Sequence, residues 1–449
     1  MNSRTVEGRG YLRDPYVRFS LILISGLILR IFLSLFLTYR PDFGAWIGWG
    51  SEISSAGFGH FYERYWCDYM PGYLYVLWML DNIHRALPGL SVDILFKLPA
   101  NLADFGISIL IFYSLKLITS DKNAMIASVA YFFNPASLAN STFWGQVDSF
   151  HTLPILLSVY LGLRQKFILS GVFASLAFMI KPQSLVVFPL IGFLALIPVI
   201  KSWKRFTIRS LLPPFKLAIT IVITAVIVTL PFIWDSIYSV SYLITGPADL
   251  IVERFNASYG QYTSTSLNAF NFWGAVAMWQ DDDTRFLGIT FRNIGTMIFG
   301  VVYAVISGLL IRSAFAVKNN ELRDYGYHVF EAIMLVLFAL FLFVTRAHER
   351  HLLPMIVFFS LITFRTWIFW YLYAIVSGVY VLNMAYSYIQ LTTLYKGIPQ
   401  EYSAYFIPGM FIIYLIAYII VFFSFVISTT KCKYPFDTLS SRTPQEITK

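Results

Sequence analysis

VRFSLILISGLILRIFLSLFLTY, residues 17–39, runs straight into RPDFGAWIGWGSEISSAGFGHFYERYWCDYMP, residues 40–71, and this junction decides the fold. The first part is long and apolar enough to cross a bilayer as a helix, which takes about 20 residues. It is too long for a signal-peptide core and has no small-residue cleavage site, so it is expected to remain as a helix. The second part sets the acids Asp42, Glu52, Glu63 and Asp68 among Trp46, Trp49 and Trp66. Asp42 falls a few residues past the helix, at the membrane surface, where a water-soluble group meets a lipid-borne one. Residues 40–71 therefore read as a catalytic loop, and the rest of the chain as its lipid-facing frame.

The 449 residues are 57% hydrophobic and 13% charged, whereas soluble domains carry about 25% charged residues. Only helices and closed barrels satisfy backbone polar groups in lipid, and apolar runs this long and even are not barrel strands. The net charge of +9 invites a nucleic-acid reading. Its distribution excludes one. Basic residues cluster at Arg4–Arg18, Lys201–Lys216, Arg312–Arg323 and Lys431–Lys433, each flanking an apolar run, as cytoplasmic loops do. Cys67 and Cys432 fall on opposite sides in this topology, so no disulfide is expected.

With the N-terminus inside, the first helix exits near Arg40. Gly72–Leu87 is amphipathic and aromatic-rich and reads as a surface or re-entrant helix. Further spans fall at 95–117, 123–141, 148–163, 167–180, 184–200, 216–233, 289–312, 327–345, 351–366, 367–389 and 407–428. With the first span the count is even, which puts both termini and all the basic clusters on one side. A long outer loop, 234–288, holds a short apolar piece near Asn268–Trp279. No repeat or linker divides the chain. Residues 1–430 are expected to form one membrane domain, and 431–449 a short, disordered cytoplasmic tail.

Ionisable groups in or beside spans face a cavity or a partner. Lys97, Asn101, Asp104 and Ser108 share one helix face by their spacing, as a polar seam between helices or as substrate contacts. In NPASLANSTFWGQVDSF (134–150), Pro135 ends or kinks a helix, and Gln146 and Asp148 face the outer side beside the first loop. Asp148 is either a solvated acid or an acceptor contact. Lys181, in Lys181-Pro182-Gln183, either neutralises a phosphate or snorkels to the interface. Asp68 and Tyr69 precede Met70-Pro71, where Asp68 either caps the next helix or meets the acceptor.

TRAHERHLLP (345–354) joins two spans by a short outer turn. Arg346 and Arg350 are four apart, so on a helical turn both forks point one way and suit a phosphate. The alternative is a structural ion-pair turn around Glu349. HERH is not HExxH, so His348 does not signal a zinc site.

These residues resemble the GT-C superfamily of polyprenyl-phosphate-sugar-dependent glycosyltransferases. The chain is most similar to prokaryotic mannosyltransferase-like members related to the second mannosyltransferase of GPI-anchor synthesis. The resemblance rests on Asp42, FYERYWCDYMPGYLYVLW (61–78), KLPANLAD (97–104), FNPASLANSTFWGQVDS (133–149), IKPQSL (180–185), TSLNAFNFWG (265–274) and RAHERHLLP (346–354). It implies an all-α polytopic bundle of about 11–13 transmembrane helices, with the active site in extracytoplasmic loops of a prokaryotic plasma membrane or an ER membrane. It further implies inverting transfer of a hexose, mannose in these relatives, from a polyprenyl or dolichyl phosphate to a glycolipid, glycan or protein acceptor. Asp42 would be the general base. Asp68, Tyr69, Lys97, Asp104, Gln146, Asp148, Lys181, Gln183, Asn268, Arg346, His348, Glu349 and Arg350 would form the substrate site. Asp42 has no neighbouring DxD, so a divalent metal is left open and no other cofactor is expected.

An inverting displacement needs one carboxylate to take the acceptor proton and cations to meet the departing phosphate, which suits Asp42 and the arginine pair. Two hydrolase-type carboxylates are not required. The rival reading is a transporter or flippase for a lipid-linked sugar. Such proteins set their ionisable residues near the bilayer midplane and often show inverted repeats.

Overall fold

The structure, a computed structural model, describes residues 14–201, 206–237, 239–316 and 322–431. The basic N-terminus before residue 14 and the tail beyond Lys431 lie outside the described residues. Helix α1 (Pro15–Leu33) is capped by the Asp14 carboxylate, which accepts from the Tyr16 amide. The expected open loop instead begins with a helix, α2 (Arg40–Ala56). Pro41 suits its first turn, and Phe43, Trp46, Gly50 and Ile53 recur every three or four residues to bury one face. Gly50 lets α2 lie against α3 (Pro71–Ala86), since a Cβ there would come 2.7 Å from the Leu77 carbonyl oxygen. Helix α3 is the amphipathic helix expected at 72–87, burying Tyr73, Leu74 and Leu77 while exposing Trp78 and Met79. Asp68 does not cap it: Met70 is the N-cap, with no side-chain bond.

Next come α4 (Val92–Leu115) and α5 (Asp121–Phe132). The span expected at 123–141 stops at Asn134-Pro135 and resumes as a π-helix, Leu138–Trp144, closed by Gly145 at φ +83°. Helices α6 (Asp148–Leu163), α7 (Phe167–Ile180), α8 (Phe188–Lys201) and α9 (Leu212–Ile233) follow. The expected loop 234–288 is largely ordered, with α10 (Val240–Gly260) and a short helix at Phe272–Ala277. The chain ends with α11 (Phe291–Ala316), α12 (Leu322–Phe343), α13 (Leu353–Ser360), α14 (Trp367–Thr392) and α15 (Gln400–Lys431). Helix α13 covers only half of the expected span, because the chain tightens into a 3-10 turn at Thr363–Arg365.

Among the described residues, eight helical segments are long and apolar enough to cross a membrane: α1, α4, α8 with the 3-10 turn before it, α9, α11, α12, α14 and α15. The other expected spans, α5, α6, α7 and α13, have 12, 16, 14 and 8 residues and fall short of a bilayer crossing. The protein is an all-α polytopic membrane protein. Helix α12 is its axis, with Val329–Phe338 almost continuously buried among α11, α13 and α15. Ile28, Ile227 and Val301 lie on exposed apolar faces of α1, α9 and α11, as lipid-facing positions require. Two ion pairs are buried inside the bundle, Arg30 with Asp104 and Arg365 with Glu331.

Candidate active site

Two short strands close the site. β1 (Ser266–Leu267) pairs in parallel with β4 (Ala347–His348), which draws the 261–272 segment against the Arg346–Arg350 turn. Around this junction, α2, the 66–70 segment, the start of α6 and the end of α10 enclose a cavity of about 700 Å³. Ten of the residues expected from sequence line it: Asp42, Asp68, Tyr69, Gln146, Asp148, Lys181, Gln183, Arg346, His348 and Arg350. One wall is aromatic, with Trp46, Trp49, Trp66, Tyr259 and Tyr262. Another is aliphatic and aromatic, with Leu185, Val186, Phe299, Leu337 and Leu340. The cavity thus has a charged end and an apolar end.

Asp42 stands in the first turn of α2. Its Oδ2 accepts from Gln146 Nε2 at 2.6 Å and from Trp144 Nε1 at 3.2 Å. Gln146, expected as a substrate contact, therefore holds Asp42 as well as facing the cavity. Gly145 between the two donors makes this clamp feasible. Its φ of +83° is left-handed, and a Cβ there would lie 2.8 Å from the Phe43 ring and 2.9 Å from the Lys97 side chain. Gly145→Ala is expected to lower the melting temperature and activity together, because Phe43 must move and Asp42 is its neighbour. Unchanged melting and unchanged turnover would show that the corner tolerates a side chain.

Four expected contacts are not in the cavity wall. Lys97 is fully buried, and its Nζ donates to the Ser34, Phe36 and Leu37 carbonyls at 2.9, 3.2 and 2.8 Å. It neutralises the open C-terminal end of α1 and is spent there. Asp104 is buried against Arg30 at 2.8 Å and accepts from Tyr131 and Ser149, which makes the face it shares with Lys97 a polar seam. Asn268 sits at φ +63° and is held in place: its carbonyl accepts from Asn383 at 2.6 Å and its Oδ1 from Trp279 at 3.1 Å. Glu349 is buried behind the turn as the partner of Arg350.

The charges at the rim pair off. Lys181 meets Asp148 at 2.6 Å, whose second oxygen accepts from Asn140 at 3.2 Å. Arg346 makes a two-pronged contact with Asp282, at 2.7 and 3.0 Å, and also donates to the Tyr259 carbonyl. Its expected role on a phosphate is taken by this structural fork. Arg350 bonds Glu349 through one nitrogen at 3.0 Å, while its Nε is buried with no partner. Asp42 and Asp68 face the cavity with no cation at bridging distance among the described residues.

Burial raises the Asp68 carboxyl from its ordinary value, opposed by Arg350 and Lys181. Burial likewise lifts Glu349 and pushes His348 well down, so the His348 ring is neutral at physiological pH. For a metal, the described residues offer one cluster of three, Asp281, Asp282 and Asp283. Asp282 is engaged by Arg346 and Thr345, and Asp283 by Arg292, so two of the three carboxylates already have partners.

The sequence reading passed over His151, the tryptophans and the α10 tyrosine as site residues. His151 carried a usable signal: it lies three residues after Asp148 on α6 and lines the same cavity. No family model matches the chain, and no curated protein matches it.

Proposed function

We propose that this protein is an inverting glycosyltransferase that moves a hexose, mannose by its resemblance, from a polyprenyl-phosphate carrier to a glycolipid, glycan or protein acceptor at the extracytoplasmic membrane surface. The observation that carries this reading is one cavity in which a positioned carboxylate and a partly unsatisfied arginine sit beside an apolar wall. Asp42 takes the acceptor hydroxyl proton as that oxygen attacks the anomeric carbon from the face opposite the phosphate. The carbon–oxygen bond to phosphate breaks, its electron pair stays on the leaving polyprenyl phosphate, and Arg350 meets the charge that develops. The wall of Leu185, Val186, Phe299 and Leu340 suits the first isoprene units of the carrier, and the tryptophans suit sugar faces.

The test is whether purified protein releases polyprenyl phosphate from a polyprenyl-phosphate hexose with inversion at the sugar. If a labelled lipid-linked sugar crosses reconstituted vesicles uncleaved, the transporter reading replaces this one. Arg350→Ala is expected to raise the donor KM and slow phosphate departure, a loss of about 1.5–3 kcal/mol or roughly ten- to hundred-fold. Arg350→Lys keeps the charge but not the fork and should fall between parent and alanine. Donor titrations of both variants that overlay the parent would leave Arg350 as a turn residue only.

A further inference from the structure

We infer that the β-hairpin at residues 285–290 is a membrane-docking wedge: its apolar tip enters the headgroup–acyl boundary on the cavity side, and Arg285 meets lipid phosphate. β2 (Arg285–Phe286) and β3 (Ile289–Thr290) pair antiparallel, with Arg285 opposite Thr290 and Phe286 opposite Ile289. Only Leu287 and Gly288 connect them, both at positive φ, +49° and +83°. A two-residue turn of this hand takes Asn, Asp or Gly at its first position, all compatible with water. Here that position is leucine, a residue with no conformational reason to be there. What it supplies is apolar surface. Leu287 is 87% exposed, Phe286 60% and Ile289 41%, so the three apolar side chains around the tip leave much of their surface uncovered.

The anchoring of the hairpin says what covers that tip. The Phe291 amide donates to the Thr284 carbonyl and the Arg292 amide to the Asp282 carbonyl, both at 2.9 Å, which fixes the hairpin base to the first turn of α11. Helix α11 is apolar enough to cross a membrane from Phe291 onward, and its exposed Met297 and Val301 continue the apolar surface. The tip therefore projects from the place where the chain enters lipid. Of the two flanking arginines, Arg292 is taken by Asp283 at 2.7 Å. Arg285 is exposed and has no carboxylate partner among the described residues, which suits a lipid phosphate. The corner that holds the hairpin also holds Asp282, the partner of the cavity arginine Arg346, so the wedge would set the depth of the cavity rim in the leaflet. The inference does not depend on which reaction the cavity performs.

A nitroxide on Leu287→Cys in a Cys432→Ser background tests this, because Cys67 is buried. In nanodiscs containing phosphatidylglycerol, the label is expected to collide with dissolved oxygen and to be shielded from a water-soluble nickel chelate. A label on Glu63→Cys, whose charged side chain is exposed in the 57–70 segment, provides the water-exposed control. Nickel access at 287 equal to that control overturns the wedge. Phe286→Cys repeats the measurement should the 287 variant fold poorly. Arg285→Gln should make the label shallower, and an unchanged depth removes the phosphate contact. A short label-to-label distance within one nanodisc would instead mean a second copy covers the tip, and would sink the lipid assignment.

Discussion

Asp42→Asn is expected to abolish sugar transfer, lowering kcat by about 10²–10⁴-fold, the contribution of a positioned general base. The substitution is close to isosteric, and the Asn oxygen can still accept from Gln146 and Trp144. Folding and donor binding should therefore survive, and the loss should sit in kcat rather than in donor KM. The comparison that gives the result meaning is Asp68→Asn. Asp68 lines the same cavity, has no ion pair among the described residues, and is raised from its ordinary value by burial. Transfer at near-parent rates by Asp42→Asn, with Asp68→Asn inactive yet folded, would move the base to Asp68. Loss in both variants with donor binding intact would assign them complementary roles, one on the proton and one on a sugar hydroxyl.

Membrane class was legible because it rests on composition and run length, which tertiary contacts hardly alter. Helix α2 was harder to see. Its acids and glycines mask a face of Phe43, Trp46, Gly50 and Ile53, although Pro41 and that spacing were available as signals. Helix α10 was missed for a related reason: an amphipathic helix with Gly246 and Pro247 inside it has no long apolar run. The spans expected at 148–163 and 167–180 match α6 and α7, whereas those over α5 and α13 were overextended because hydropathy continues through Asn134-Pro135 and Ser360–Thr363, where the backbone does not.

In the candidate site, ten of the residues named from sequence line one cavity, but their partners could not be assigned from sequence. Arg346 and Arg350 look equivalent in RAHERH, yet Asp282, 64 residues away, takes one of them. Lys97 likewise looks like a cation awaiting a substrate until the end of α1 is seen to occupy it. Which cation keeps a donor to spare, as Arg350 does at Nε, is a property of long-range packing.

The same blindness hid Arg30, which hydropathy places unremarked inside α1 and which yields the second large expected effect. Its guanidinium reaches Asp104 at 2.8 Å, Thr142 at 3.2 Å and Ser137 at 2.6 Å, and also donates to the Phe132 carbonyl. It thus ties α1 to α4, to the end of α5 and to the π-helix that carries the Asp42 clamp. Arg30→Met removes the cation but leaves Asp104 buried with a charge that Tyr131 and Ser149 alone must stabilise. Breaking one side of a buried pair costs on the order of 3–5 kcal/mol, far more than the net stabilisation from the intact pair. Thermal unfolding in nanodiscs should show that loss as a large drop in melting temperature. Adding Asp104→Asn to Arg30→Met should recover much of it, since the amide oxygen can still accept from Tyr131 and Ser149. The direction of this second step decides the physics. If the double variant melts no higher than Arg30→Met, the cost lies in lost packing around the guanidinium and the stranded carboxylate is not its cause. Donor KM measured on the surviving fold should stay near the parent value, because neither Arg30 nor Asp104 lines the cavity. A selective rise in KM at unchanged stability would return Asp104 to the list of substrate contacts.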